Sequence, residues 1–169
     1  MRGMLLSFQP VQLGWYGKGD VRTLTRAEWI GGQPLLQGEA LLCGFYLNEL
    51  LLRLLPREDP HEVLFGRYAE ALRGLASGAA TGAILRSFEK ALLREIGYAL
   101  VLEREGASGR GIDPAKTYAY DPERGPVEVS ADAQVELNLL GQTLLDIARD
   151  DFHDPVTQQQ AKLLMRSFA

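Results

Sequence analysis

Hydrophobic residues at helical spacing dominate the sequence from residue 38 onwards. The densest stretch runs from Gly38 to Pro56, where leucines and aromatic residues recur every three or four positions and cover well over one face of a helix. We expect this helix to lie at the centre of the core, and Pro56 to end it because proline cannot continue the hydrogen-bond ladder. Its apolar positions are Leu41, Leu42, Phe45, Leu47, Leu50, Leu51, Leu54 and Leu55.

A second helix is predicted to start in the segment Asp59-Pro60-His61-Glu62. Asp59 would cap the helix, Pro60 would take the first helical position, and Glu62 would complete a capping box. The apolar face of this helix would consist of Val63, Leu64, Tyr68, Leu72 and Leu75.

Three more helices are predicted towards the carboxyl end. The third spans about 83–96 and stops at Gly97, which suits a left-handed C-terminal cap. Another is expected over about 133–148. The last starts at Asp154-Pro155, a cap followed by a first-turn proline, and runs to Phe168.

Two segments alternate in the manner of strands. Residues 4–15 and 21–30, joined by the glycine-bearing turn 16–20, predict an N-terminal hairpin, and residues 117–129 predict an internal one with its turn at 121–125. The fold class is therefore mainly α, a helical domain with a short N-terminal β-hairpin and a small internal β-hairpin. A lone hairpin is marginal in water, so the first must pack on the helices, on another chain or on further strands.

Charge gives no sign of a dedicated nucleic-acid binder. The 169 residues suit one domain, or one domain with a fragment of a second, and their net charge is −4. Residues 1–36 carry +2, residues 37–98 carry −1 and residues 99–169 carry −5. Any affinity for phosphate would come from local patches or from parts of a longer protein.

Cysteine content and hydropathy indicate a soluble, cytoplasmic protein. Cys43 is the single cysteine, which excludes an internal disulfide and a four-thiolate zinc site, and we interpret it as a small buried hydrophobe. The sequence has no run of roughly 18 apolar residues and no small-residue cleavage site after its start, so we expect neither a membrane span nor a secretory signal.

Candidate catalytic groups are weak. Acidic residues cluster in predicted turns and helix ends, where Asp is common for capping reasons, and His61 and His153 have no second ligand at metal-binding spacing. Phosphate-binding glycine motifs and nucleophile-elbow motifs do not occur. We predict no enzyme and no cofactor; the alternatives are a metal-dependent hydrolase using the acidic clusters, or a structural adaptor without DNA binding. The clusters are Asp150, Asp151 and Asp154, and Asp113, Asp121 and Glu123.

Two strings resemble a known family. Gly44-Phe-Tyr-Leu-Asn-Glu-Leu-Leu51, followed by Leu54-Leu-Pro56 and Asp59-Pro-His61, resembles the first helix of the helical domain of RecO, a bacterial recombination mediator. Leu85-Arg-Ser-Phe-Glu89, leading to Gly97-Tyr98, resembles the family's most recognisable string. The resemblance covers nearly all of residues 5–168.

The resemblance implies a domain organisation. Residues 37–169 would form the helical domain, and residues 1–36 would be the last two strands of the family's N-terminal OB-fold. About three earlier strands and a basic C-terminal tail of the family are not in this sequence, so we expect it to be shortened at both ends. Some members carry a four-cysteine zinc finger near residues 106–116; this chain has no cysteine there, and we predict no metal.

The resemblance also implies a function and partners. The protein would be a non-enzymatic recombination mediator in DNA repair, nucleoid-associated and without a membrane partner. It would bind single-stranded DNA-binding protein, RecR, and single- and double-stranded DNA, assist RecA loading and so affect the RecA filament indirectly, and anneal strands. With three strands missing, its own affinity for DNA should be weakened.

One candidate partner site lies on the second and third helices. Arg86, Lys90 and Arg94 recur at i, i+4 and i+8 and predict a basic stripe, for which a plain solvated helix face is the alternative. The resemblance implies instead that the helical domain binds the acidic, phenylalanine-ended C-terminal tail of single-stranded DNA-binding protein. The proposed contacts are Arg86, Lys90, Arg94, Arg67, Tyr68 and Leu72.

A candidate DNA site lies on the first hairpin. OB-folds bind single strands with cations and stacking aromatic rings. The residues that fit are Lys18, Arg22, Arg26, Trp15 and Tyr16. The alternative, which we favour for an unclosed sheet, is that Trp15 and Tyr16 pack the hairpin onto the helices.

Overall fold

The computed structural model describes residues 7–32, 34–130 and 137–168, and it confirms the predicted mainly helical class with two hairpins. None of the helices in these ranges is long and apolar enough to cross a bilayer. The elements are β1 (Val11–Tyr16), β2 (Thr23–Trp29), α1 (Gly38–Leu54), α2 (Glu62–Ala76), α3 (Thr81–Glu95), β3 (Thr117–Asp121), β4 (Gly125–Val129), β5 (Asn138–Leu140), α4 (Gly141–Ala148) and α5 (Pro155–Arg166).

The central helix is α3, because it contributes to two hydrophobic cores. Leu92 belongs to a core shared with α1 and α2, whereas the adjacent Leu93 belongs to a core formed with β3, β5, α4 and α5. Neighbouring residues on a helix point about 100° apart, so one helix can serve both cores. The expectation that α1 occupies the centre is wrong.

Helix α1 is partly uncovered in spite of its leucines. Within α1 the fully buried residues are Gly44 and Leu47, while Leu42 is 70% exposed and Leu52 is 84% exposed. The pattern predicted the helix correctly, but it could not show how much of the apolar surface its neighbours cover.

The start of α2 differs from the predicted capping box. The helix begins at Glu62 with His61 at the N-cap position, and no side chain caps it. The side chain of Asp59 lies 3.4 Å from Nε2 of His61 instead. The predicted N-cap, Asp59, therefore lies two residues before the observed N-cap, His61.

Two other predicted caps are confirmed. Gly97 follows α3 with φ +90°, and the amide of Tyr98 donates to the carbonyl of Leu93, as in a Schellman turn. Asp154 accepts hydrogen bonds from the amides of Val156 and Thr157 at the start of α5.

The internal hairpin is confirmed, but it has a third strand that the sequence did not predict. β3 pairs with β4 in antiparallel register on one edge and with β5 on the other. Residues 138–140 therefore form a strand, not part of the predicted helix over 133–148, whose residues 133–136 lie outside the described ranges. Pairing with the free edge of β3 buries Leu139 completely, opposite the buried Tyr118, which overrides the local helical pattern.

The strands of the N-terminal hairpin are largely exposed. β1 and β2 pair with a bulge at Gly14, where the side chains of Thr25 and Arg26 both lie over the glycine. Trp15 is 55% exposed and Tyr16 is 65% exposed, so the interpretation that these rings pack the hairpin onto the helices is wrong.

Besides the Arg22–Glu58 ion pair from the hairpin turn, the segment before the hairpin also contacts the helical domain. The ring of Phe8 lies 5.1 Å from that of Phe45, and Phe8 and Leu36 cover Gly44, where a Cβ atom would come within 2.7 Å of Leu36. This contact with α1 holds the segment that leads into the hairpin.

Candidate functional site

Arg86, the first member of the predicted basic stripe, is a buried residue. Its guanidinium donates to Oε1 of Glu89 at 2.7 Å, and both side chains are less than 10% exposed. The phenol of Tyr46 on α1 donates to the same oxygen at 2.6 Å. The three groups form a polar bridge between α1 and α3 rather than a solvated surface.

Burial controls the protonation of this bridge. Desolvation raises the pKa of Glu89, an effect opposed by the charge of Arg86, the hydrogen bond from Tyr46 and the charge of Arg166. Burial and the neighbouring Glu89 raise the pKa of Tyr46 to about 12, so its phenol stays protonated and remains a donor. The second carboxylate oxygen of Glu89, Oε2, is buried and has no hydrogen-bond partner among the described residues.

Beside Glu89 lies a narrow apolar cleft of about 20 Å³ between α1, α3 and α5. The charge of Arg166, an exposed residue at the end of α5, acts to lower the pKa of Glu89, and Arg86 pairs with Glu89 directly. The lining residues are Tyr46, Leu50, Leu54, Glu89, Leu92, Leu93, Met165 and Phe168.

Lys90 and Arg94 have different surroundings from Arg86. The ammonium of Lys90 donates to the carbonyl oxygens of Ile147 and Ala148 at the end of α4, and it pairs with Asp150 at 2.7 Å. A cation at a helix C-terminus is favourable because carbonyl groups point outwards there. Arg94 is exposed and, within the described ranges, forms no ion pair. The predicted stripe thus passes from the interior to solvent along α3.

The other predicted contact residues lie on α2 and face a different region. Arg67 is exposed and pairs with Glu70, and Leu72 is buried in the core. The hydroxyl of Tyr68 donates to Oδ1 of Asn48 at 2.5 Å, and the Tyr68 ring meets Phe88 edge-on. Burial raises the pKa of the Tyr68 phenol. The six predicted residues therefore do not converge on one surface.

Tyr68 instead lines an open groove of about 480 Å³ between α1 and α2. This α1–α2 groove is walled by leucines and one phenylalanine, and its polar lining groups are Asn48, Asp59 and His61. Among the described residues, no lysine or arginine lines it. The apolar lining consists of Leu51, Leu52, Leu55, Leu64, Phe65 and Tyr68.

His61 lies between two carboxylates at one end of the groove. Its Nδ1 atom is 3.1 Å from Oε1 of Glu95 at the end of α3, and its Nε2 atom is 3.4 Å from Oδ2 of Asp59. The contact to Glu95 has hydrogen-bond geometry, whereas Nε2 is buried without a hydrogen-bond partner. The side chain of His61 is thus largely buried, with 15% of it exposed.

The predicted DNA-binding residues lie on both faces of the hairpin. Trp15 shares a face with Leu13 and with Leu24, its partner on β2, whereas Tyr16 lies on the opposite face with Arg26. Alternate residues of a strand point to opposite sides, so the two rings cannot form one stacking surface.

The hairpin cations also differ in their partners. Arg22 pairs with Glu58 in the α1–α2 connection at 2.6 Å, and Arg26 pairs with Glu28 at 2.7 Å. Lys18 is exposed at the tip of the hairpin.

The acidic clusters have local structural roles. Asp150 pairs with Lys90 and accepts a hydrogen bond from Ser87. Asp151 accepts from the side chain and the amide of His153, and these bonds lower its pKa. In the part of the chain that the structure describes, no three His, Cys, Asp or Glu side chains are grouped so that they could hold a metal ion.

The turn carboxylates behave in the same way. Asp121 accepts from the amides of Glu123 and Arg124, and Asp113 accepts from the amide of Ala115. Asp154 is the cap of α5 described above. These contacts are those of turns and helix starts.

Sequence reasoning missed the groove, although its signal is present. The lining residues of α1 and its C-cap are Asn48, Leu51, Leu52 and Leu55, and those of α2 and its N-cap are His61, Leu64, Phe65 and Tyr68. Each set has the spacing i, i+3, i+4, i+7, which marks one face of a helix. An apolar surplus on α1 beyond one core-facing stripe was the available indication.

Comparison with known proteins identifies the family. Residues 35–168 match the family described as "Recombination protein O C terminal". DNA repair protein RecO of Nitrosospira multiformis is 52% identical over 167 residues, which cover 98% of this chain and 69% of that protein. DNA repair protein RecO of Burkholderia pseudomallei is 50% identical over 167 residues, covering 98% of this chain and 60% of that protein. The chain therefore belongs to the RecO family.

Proposed function

We propose that this protein acts in recombinational DNA repair as a non-enzymatic mediator. The observation that supports this is family membership: the match spans residues 35–168, and relatives about half identical over nearly the whole chain are DNA repair proteins. The proposed activities are binding of single-stranded DNA-binding protein, RecR and DNA, assistance to RecA loading, and strand annealing.

For the acidic tail of single-stranded DNA-binding protein, the cleft beside Glu89 is a better site than the six predicted contact residues, which do not converge on one surface. The lining of the cleft is mostly apolar, which suits a terminal phenylalanine. Glu89 is the charged group among the described lining residues, so the carboxylate of the tail would lie outside the cleft, towards Arg166, whose charge acts on Glu89. A cleft of about 20 Å³ is too small for a benzyl group, so the half-buried ring of Phe168 at its edge must move when the tail binds. Arg94, which is exposed, would contact an acidic residue further along the tail.

A fluorescence anisotropy titration with a labelled tail peptide tests this position. Arg166→Gln and Arg94→Gln change exposed residues, so both should fold and bind the peptide about tenfold more weakly. Lys162→Gln removes an exposed charge of α5 outside the set and should bind like the wild type. Loss of binding in Arg67→Gln but not in Arg166→Gln would place the tail on α2, with Tyr68 and Leu72. No binding by the wild type would reject the tail as a partner.

The hairpin is the proposed DNA-binding element. Its polar face presents Tyr16 beside Arg26, and Lys18 lies exposed at its tip. Each phosphate contact that is lost should reduce the slope of log affinity against log salt by about 0.7 for single strands. A salt titration of Lys18→Gln and Arg26→Gln measures this slope. The control is Lys116→Gln, which changes an exposed lysine directly before β3. Unchanged slopes in both hairpin variants would exclude the hairpin as the contact.

A further inference from the structure

The α1–α2 groove has the lining and size of a binding site for a third helix. Its two walls have matching sequence spacing: three residues of the last turns of α1 with the C-cap Leu55, and three residues of the first turns of α2 with the N-cap His61. Amphipathic helices bind in such grooves through apolar residues at i, i+3, i+4 and i+7. A volume of about 480 Å³ also lies within the usual range of binding sites, roughly 300–1,000 Å³.

The groove is open to solvent, whereas the opposite side of α1 faces α3. Leu52 is 84% exposed and Phe65 is 72% exposed, although each lies on a wall of the groove. On the side of α1 that faces α3, Tyr46, Leu50 and Leu54 line the narrow cleft described above. Large apolar side chains exposed together in a concave surface are typical of a protein interaction site.

The charges around the groove favour a cationic occupant. The groove lining includes the carboxylate of Asp59, and the carboxylate of Glu95 contacts the lining residue His61. Two carboxylates and one imidazole leave this end negative whether or not His61 is protonated. Apart from Asp59, the connection 56–62 holds Glu58, which pairs with Arg22, and Glu62 against Arg57, so the excess negative charge at this end comes from Asp59 and Glu95. An acidic peptide would be repelled here, and a lysine or arginine would be attracted.

We propose that the α1–α2 groove binds an amphipathic helix of a partner protein, with leucine-like residues between Leu52 and Phe65 and a lysine or arginine directed at Asp59. This surface is separate from the cleft proposed for the acidic tail and calls for the opposite charge. It therefore adds a second protein partner to the proposed function and does not depend on the first.

The test uses two synthetic helices on the full chain. Both are fluorescein-labelled peptides of about 18 residues with leucines at helical spacing; one carries lysines on its polar face, and its twin carries glutamates. The lysine peptide should bind the wild type, and Asp59→Lys should weaken that binding about tenfold. The glutamate peptide should bind the wild type more weakly than the lysine peptide does, and Asp59→Lys should strengthen its binding.

Matched variants locate the binding. Phe65→Ala and Leu52→Ala remove exposed groove residues and should each weaken the lysine peptide about tenfold, whereas Leu42→Ala, 70% exposed on α1 outside the lining, should not. Circular dichroism melting checks that all variants are folded. Equal binding of both peptides, or no difference between Phe65→Ala and Leu42→Ala, would overturn the proposal.

Two further outcomes would also overturn it. Binding of the acidic tail peptide that is lost in Phe65→Ala would assign the groove to that tail. A dimer in sedimentation equilibrium that Phe65→Ala dissociates would assign the groove to a second copy of this chain.

Discussion

The phenol of Tyr46 on α1 and the carboxylate of Glu89 on α3 are joined by a 2.6 Å hydrogen bond. A hydrogen bond to a charged group contributes about 1.5–3 kcal/mol, against about 0.5–1.5 kcal/mol for a neutral pair. We therefore expect Tyr46→Phe to lower the free energy of unfolding by about 1.5–3 kcal/mol, measured by urea denaturation.

Tyr68→Phe is the matched control for this prediction. Tyr68 donates to the neutral amide oxygen of Asn48, also between α1 and its neighbour, so its loss should cost only about 0.5–1.5 kcal/mol. Equal costs for the two variants would show that Glu89 is protonated in the folded protein, or that the bond to Tyr46 is not formed.

The Arg86–Glu89 pair should be strongly coupled. Removing one partner of a buried ion pair leaves an uncompensated charge and typically costs about 3–5 kcal/mol. Arg86→Met should therefore be destabilised by that amount. The double variant Arg86→Met/Glu89→Gln should be more stable than the single one, since its glutamine is neutral and still accepts from Tyr46. Additive losses in a double-mutant cycle measured by urea denaturation would contradict the buried pairing.

The placement of Arg86 shows what sequence could not supply. Its type and its spacing from Lys90 and Arg94 predicted a surface stripe, since cations are rarely buried. The burial of Arg86 depends on Glu89, and Glu89 in turn bonds to Tyr46, which is 43 residues from it along the chain. Local periodicity predicted α3 and its cap at Gly97, but the partner of each polar side chain is a tertiary property.

The strand β5 and the groove illustrate the same division. β5 exists because β3 has a free edge, and the three-residue segment 138–140 carries too little pattern to reveal this. The groove's stripes could be read from α1 and α2 separately. That they face each other across an open space follows from the angle between the helices, which no spacing encodes.

Gly141 should not tolerate a side chain, because a Cβ atom there would lie 1.9 Å from the carbonyl oxygen of Asp113. Backbone atoms cannot yield as a flexible side chain can, so Gly141→Ala should cost about 3 kcal/mol or more. Gly66 in α2 provides the control: nothing lies within 4 Å of its Cβ position, and alanine is the better helix former by roughly 0.5–1 kcal/mol. Thermal unfolding should thus show a lower melting temperature for Gly141→Ala and a slightly higher one for Gly66→Ala. A Gly141→Ala protein as stable as the wild type would mean that the backbone at Asp113 does not lie as close to Gly141 as the structure shows.

Glu89 should make stability fall as the pH rises. Burial raises its folded pKa above the unfolded value of 4.5, so the folded state binds this proton more tightly. The resulting stabilisation is fully present below pH 4.5 and is lost as the pH rises through the folded pKa. The stability advantage of the wild type over Glu89→Gln should therefore shrink as the pH rises above 4.5, measured by urea denaturation at each pH. Asp151→Asn should show the opposite trend, because bonds from His153 lower the pKa of Asp151 and its contribution is lost as the pH falls. Parallel pH profiles for the wild type and Glu89→Gln would mean that solvent reaches this carboxylate and that the bridge between α1 and α3 is open.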